Sequence, residues 1–300
     1  MSPTVSLIIP VYNTGGYLPE TMASAFAQTW SALEIVVVDD GSTDPLTLEL
    51  LHELSADPRV LLIRQDNQGP AAALNTGIRA SSGEWFMPLG SDDLIGPTYV
   101  QKSAEVMGRR PEVSIAYCRA EMFGAVAGPW GLPDFDWSTF LVHNLIFCVA
   151  IFRRSDWERV GGFDESMREG REDHDFVMKV LGHGGVPHRL EEVLFHYRIR
   201  PDSVNAQVGD SREKLIRAHA SIFRNNLDTY QEHAEDLFTF IFRQHDEIMD
   251  LRHRYAALER LRTGHPRAVE AAKSVRNLAR GAESSLRSAR SALGSVWSRP

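Results

Sequence analysis

Three hundred residues, 43% apolar and 24% charged, are ordinary for one soluble globular domain carrying an appendage. The net charge of −8 is uneven: residues 266–300 hold seven Lys or Arg against two Glu, a net +5, which leaves −13 on the residues before them. An acidic body of that kind argues against nucleic acid as a partner.

The two cysteines, Cys118 and Cys148, both lie in apolar runs without ligand spacing, and are read as buried free thiols of a reducing compartment. The start, "MSPTVSLIIPVYN", lacks a basic flank followed by a long apolar segment, so no signal peptide is read and the chain is expected in the cytoplasm. The longest apolar stretch, "FLVHNLIFCVAIF" (140–152), is too short to span a bilayer and reads as buried core.

In chain order, "VSLIIPV" (5–11), "EIVVVDD" (34–40), "VLLIR" (60–64), "EWFMPL" (84–89) and "VSIAYC" (113–118) read as strands. Most are apolar on both faces, as strands covered on both sides must be. Between them, 16–29, 45–56, 69–81 and 97–109 carry helical spacing, with Pro45 and Pro97 near two of the starts. This alternation predicts an α/β, Rossmann-like, mostly parallel sheet with right-handed crossovers. Residues 154–165 read as a short helix ending at Gly161-Gly162, and "EDHDFVMKVLGHGG" (172–185) as a helix that opens on acidic residues. "VLFHYRIRPDS" (193–203) reads as a strand and loop.

From 211 the composition is helical. Leu237, Ile241, Gln244, Ile248, Leu251, Tyr255 and Leu258 recur at alternating steps of four and three, a heptad seam with one polar position. Two readings stand: packing on the chain's own domain, or a coiled-coil homodimer. The expected divisions are 1–205, a helical extension at 206–263, and a basic, flexible tail at 264–300 with peripheral membrane contact as an alternative.

Ligands of doubly wound sheets sit beyond the carboxyl ends of the strands. Three polar clusters converge there: "PVYN" after the first strand, "DDGSTD" after the second and "GSDD" after the fourth. The first turn has neither G-x-G-x-x-G nor a Walker lysine, which excludes a dinucleotide fingerprint and a P-loop. The adjacent carboxylates of Asp92 and Asp93 repel each other unless water or a cation screens them.

These stretches, with "NQGPAAALNTGIRASSGEWFMPLGSDD", "GGFDE", "RED" and "HYR", fall in the order seen in family 2 glycosyltransferases, and residues 4–203 resemble that family. The resemblance implies a GT-A fold and an inverting enzyme that moves a sugar from a nucleotide diphosphate, a UDP-sugar being favoured, to a hydroxyl of a glycan or glycoconjugate. It implies Mn2+ or Mg2+ as cofactor, with Asp92 and Asp93 shared between metal and ribose, and His196 as a third ligand or a structural hydrogen-bond partner. Pro10, Tyr12, Asn13, Asp39, Asp40 and Arg64 are then expected around the nucleoside, with Tyr12 under the base, Asp40 on its imide N–H and Asp44 supporting the turn. Asp173 matches the family's general base, with Glu172 beside it and Asp175 as a fallback. Arg198 and Arg200 are expected near the diphosphate. Trp130, Trp137 and Phe135 are expected on the acceptor side, or as cover for the core. Gly90 departs from the pattern, because many relatives carry a carboxylate there.

Two rivals remain. Sugar-1-phosphate nucleotidyltransferases share the layout, but "PVYNTGG" lacks their glycine- and arginine-rich phosphate loop. A non-catalytic nucleotide-sugar-binding scaffold is favoured only by Gly90.

Overall fold

A computed structural model of the chain describes residues 3–168, 170–200 and 212–264. They divide into two compact units, Met1–Phe238 and Thr239–Pro300.

The first unit is built on one nine-stranded sheet. Its strands are β1 (Val5–Val11), β2 (Leu33–Asp40), β3 (Val60–Gln65), β4 (Trp85–Pro88), β5 (Leu94–Ile95), β6 (Val113–Gly124), β7 (Gly128–Trp130), β8 (Ile151–Arg153) and β9 (Val186–Ile199). They lie in the order β3-β2-β1-β4-β8-β6-β9-β5, with β7 paired to β6. The long pairings, β1 with β2, β2 with β3 and β6 with β9, are parallel, and the antiparallel ones cover two or three residue pairs each. The mostly parallel α/β sheet expected from the strand–helix alternation is therefore present.

Val5, Leu7, Ile8, Ile9 and Val11 of β1 are all fully buried, because β1 is flanked by β2 and β4 and covered on both faces. That is why its sequence is apolar without alternation. The crossovers are α1 (Leu18–Phe26), α2 (Pro45–Ser55), α3 (Pro70–Ala80) and α4 (Tyr99–Arg109). Pro19, Pro45 and Pro70 sit in the first turns of α1, α2 and α3, where a missing N–H costs no intrahelical bond. Pro97 instead precedes α4. Further helices are α5 (Trp137–Phe140), α6 (Arg154–Val160), α7 (Glu172–Gly182), α8 (Arg212–Asn225), α9 (Leu227–Glu232) and α10 (Ala234–Gly264).

The apolar run 140–152 is core as expected, with Phe140, Ile146, Ala150, Ile151 and Phe152 fully buried, although only its end is strand. Cys118 is buried and Cys148 half-buried, and both are free thiols. Among the described residues no helix is long and apolar enough to cross a membrane.

The first compact unit runs to Phe238, and the expected boundary at 205 lies outside the described residues. Helices α8 and α9 belong to it because polar groups of the core require them. Buried Asp175 Oδ1 accepts from Asn226 Nδ2 at 2.9 Å, and Tyr230 Oη donates to Leu141 O at 2.7 Å. Ile222 of α8 is fully buried. The tail from 265 lies outside the described residues, and with it the expected membrane contact.

Candidate active site

The loops after β1, β2 and β4 are laced together at the carboxyl edge of the sheet. Asn13 adopts φ 53°, the left-handed region that Asn tolerates, and its side-chain Oδ1 accepts from Thr43 N at 2.8 Å and Asp44 N at 2.9 Å. Its own N–H donates to Ser42 Oγ at 3.1 Å. Gly15 N donates to Thr47 Oγ1 at 2.8 Å, and a side chain at 15 would meet the Thr47 backbone at 2.6 Å, so the approach requires glycine. Asp44 caps α2 by accepting from Thr47 N at 2.8 Å, the supporting role expected of it. On the other side, Thr14 Oγ1 donates to Ser91 Oγ at 2.9 Å, which ties the first turn to the aspartate loop.

Within this frame Tyr12 is 50% exposed, with its ring available as a flat surface, while Asp39 and Asp40 beside it are buried. Asp39 Oδ1 accepts from Ser42 N at 2.8 Å, and Oδ2 lies 3.3 Å from Arg64 Nη1. Arg64 therefore borders this turn from the end of β3, and Pro10 sits one residue before the end of β1, opposite Val38. Asp40 accepts three bonds, from Gln65 Nε2 (2.8 Å), Gln68 N (2.9 Å) and Gly69 N (2.8 Å). Its carboxylate thus holds the loop that leads into α3, a structural task that its spacing in the sequence did not reveal.

The aspartate pair converges on Gly90. A Cβ at position 90 would lie 2.8 Å from Asp93 Oδ2 and 3.2 Å from Asp92 Oδ1, so glycine here leaves room for both carboxylates to turn inward. Asp93 is nearly fully buried, and burial followed by the charge of Asp92 pushes its carboxyl well above the usual carboxylate range. Arg198 donates its backbone N–H to Asp93 Oδ1 at 2.9 Å and its Nε to Asp92 O at 2.7 Å. Arg200 Nε lies 3.0 Å from Asp92 Oδ2, and both guanidinium groups lie about 5 Å from the Tyr17 ring centroid. Two cations and two carboxylates therefore line the same loop.

His196 does not join them. It stands opposite Glu121 in the β6–β9 register, and its Nδ1 makes a 2.8 Å contact with Glu121 Oε1. Among the described residues no group of three or more His, Cys, Asp or Glu side chains is placed to hold a metal, so the expected trio of Asp92, Asp93 and His196 does not form one cluster. The Asp92–Asp93 pair does fit a hard divalent cation. It offers convergent oxygen donors whose mutual repulsion a cation would relieve.

A second cluster lies at the N-terminus of α7. Asp173 is half-buried, with Oδ2 accepting from Asn144 Nδ2 at 2.9 Å and Oδ1 from His174 N at 2.8 Å. Burial raises its pKa against the lowering effect of Arg171. Burial and then Asp173 push Glu172 up to about 7. A pair of this kind holds a proton near neutrality, which suits proton transfer. Asn144 was hidden in the sequence inside an apolar run, and only a polar residue out of place there signals it. The fallback Asp175 is corrected: it is fully buried, ion-paired to Lys179 at 2.7 Å and bonded to Asn226, so it serves packing.

Trp130 lies between Phe147 (5.8 Å) and Tyr197 (4.9 Å), and Trp137 stacks on His233 at 3.9 Å with Phe135 at its edge. Both indoles are used in aromatic packing, the covering role that stood beside the acceptor reading.

A family model described as glycosyl transferase family 2 matches residues 6–161. The chain belongs to that family. An uncharacterised glycosyltransferase of Rickettsia typhi is 32% identical over 210 residues, covering 66% of this chain and 63% of that protein. A chondroitin synthase of Pasteurella multocida is 26% identical over 76% of this chain but only 24% of its own length. Among solved structures, S. aureus TarS 1-349 in complex with UDP-GlcNAc superposes with a TM-score of 0.64 at 19% identity, covering 79% of this chain and 71% of that one. At that identity the likeness speaks for the fold, which is the GT-A glycosyltransferase fold expected.

Proposed function

We propose that this glycosyltransferase moves a sugar from a UDP-sugar to a hydroxyl of a glycan or glycoconjugate acceptor, with inversion at the transferred carbon. The observation that carries the reading is the frame at the sheet edge. One set of hydrogen bonds joins Asn13 and Thr14, which follow the exposed Tyr12, to the Asp39–Asp40 turn and the Asp92–Asp93 loop. A base lies on Tyr12, and stacking of this type tolerates base identity. Arg198 and Arg200 border the loop that receives the diphosphate.

Asp92 and Asp93 would hold Mn2+ or Mg2+. Such a cation, when bound, neutralises charge that develops on the departing diphosphate. Asp173 accepts the acceptor hydroxyl's proton as that oxygen attacks the anomeric carbon and the bond to the diphosphate breaks. Asn144 keeps the carboxylate in place. The UDP-GlcNAc in the TarS structure and the chondroitin synthase relative support a UDP-sugar donor and a glycan acceptor.

Calorimetry with UDP, with and without Mn2+, followed by turnover of candidate UDP-sugars, tests this. Absence of heat with every nucleoside diphosphate would sink the assignment. An Asp173→Asn protein that binds UDP normally but has lost about 10²–10⁴-fold in transfer is the expected result. Unchanged transfer would remove Asp173 as the base, and a wild type that binds UDP but transfers nothing would favour the scaffold.

A further inference from the structure

Helix α10 is 31 residues long. Leu237 packs on the core of the first unit, and four of the seam residues that follow are exposed: Ile241 46%, Ile248 48%, Leu251 63% and Tyr255 66%. A long helix surrounded by water with a continuous apolar stripe is unstable in isolation, and burial of that stripe against another element is what sustains such helices.

The stripe specifies its partner. In heptad notation Ile241, Ile248 and Tyr255 occupy a, and Leu237, Gln244, Leu251 and Leu258 occupy d. β-Branched Ile at a with Leu at d favours two parallel strands over three or four, and a polar residue at one core position penalises shifted registers. The flanking charges agree. Glu247 and Arg254 fall at g, and Arg252 and Glu259 fall at e. In a parallel, in-register pair each g residue meets the e residue five positions on in the other helix. Glu247 then faces Arg252 of the second copy, and Arg254 faces Glu259, so every charged g–e pair is of opposite sign. Local contacts along the helix include Arg254 with Asp250 at 2.6 Å, Gln244 with Glu247 at 3.3 Å and Tyr255 with Glu259 at 3.2 Å, all at the exposed surface, where such contacts contribute little.

We propose that α10 of this chain pairs with α10 of a second copy as a parallel, in-register, two-stranded coiled coil over residues 237–258, so that the enzyme works as a homodimer. The apolar seam supplies the attraction, and the two g–e pairs per interface edge select the orientation. This dimer stands independently of the donor and acceptor chemistry.

Sedimentation equilibrium of the full chain is expected to give twice the 33.6 kDa monomer mass. A monomer across the concentration series, or a trimer, would overturn the proposal. Ile248→Asp is expected to yield a monomer with an unchanged catalytic-unit circular dichroism and UDP affinity. Persistence of the dimer would overturn the seam. Glu247→Arg alone is expected to weaken the dimer about tenfold by placing like charges at g and e, and Glu247→Arg with Arg252→Glu to restore it. Failure of the double change to recover would refute the parallel register. In a Cys148→Ser background, Gln244→Cys is expected to cross-link to itself on mild oxidation, because symmetric d positions meet only in the parallel, in-register arrangement. No cross-linking in a protein that remains dimeric would refute that arrangement.

Discussion

Asn144 Nδ2 donates to Asp173 Oδ2 at 2.9 Å, which couples a polar residue inside the 140–152 core run to the candidate base on α7. The amide restrains the carboxylate without neutralising it. Asn144→Ala is therefore expected to lower kcat roughly ten- to hundredfold by loosening the base, with KM for the donor unchanged. Steady-state kinetics at varied donor concentration checks the split.

The pH profile follows from the Glu172–Asp173 pair. Burial and the Asp173 charge raise Glu172 to about 7, and burial raises Asp173. Below about 7 the proton on Glu172 lowers the basicity of the neighbouring Asp173 carboxylate, so kcat/KM is expected to rise as pH climbs through about 7 and then level. Glu172→Gln removes the adjacent charge and should move the midpoint acidward. The stability effect has the opposite sign. Between the ordinary glutamate value of 4.5 and about 7, the folded state binds more protons than the unfolded one, so this pair costs stability as pH rises through that window. Denaturation midpoints at several pH values for wild type and Glu172→Gln measure it.

Tyr12 presents half of its surface to solvent, so its removal leaves the core intact. Base stacking is worth about 1–3 kcal/mol, and Tyr12→Ala should raise the Kd for UDP roughly five- to hundredfold with no change in unfolding midpoint. Calorimetry together with a thermal melt tests both halves.

Asp40 behaves differently because it anchors the loop into α3. Asp40→Ala leaves the N–H groups of Gln68 and Gly69 without their acceptor and should cost about 2–4 kcal/mol in urea unfolding. A loss of UDP binding with unaltered stability would contradict this assignment of the carboxylate.

Gly90 marks where a third carboxylate would stand. Gly90→Asp places its Cβ 2.8 Å from Asp93 Oδ2, adding repulsion that only a cation relieves. Its melting temperature should fall below wild type in EDTA and recover most of the loss with Mn2+. Equal melting in both conditions would speak against a cation at Asp92 and Asp93.

Strands β1, β2 and β4 were legible because burial on both faces writes an apolar run, and helices α1 to α4 because helical spacing separates the strands, with Pro45 in the first turn of α2. Strands β5, β7 and β8, of two or three residues each, are too short to carry a period and escaped notice. Tyr12, Asp39, Asp40, Asp92 and Asp93 stand out in the sequence because strand ends of such a sheet face its ligand edge. The sequence left His196 open between a metal ligand and a structural hydrogen-bond partner, because spacing along β9 is silent about its cross-strand neighbour, Glu121.

By itself the sequence determined the α/β class, the ligand edge and the heptad stripe, since each is written in the order of apolar and polar residues along one segment. Only the tertiary structure decided that Asp40 braces a loop, that Asn144 holds Asp173, that α8 and α9 complete the catalytic unit and that Ile241, Ile248, Leu251 and Tyr255 are exposed. Those relations join residues far apart in the chain, and no local pattern encodes which side chains meet once the elements pack.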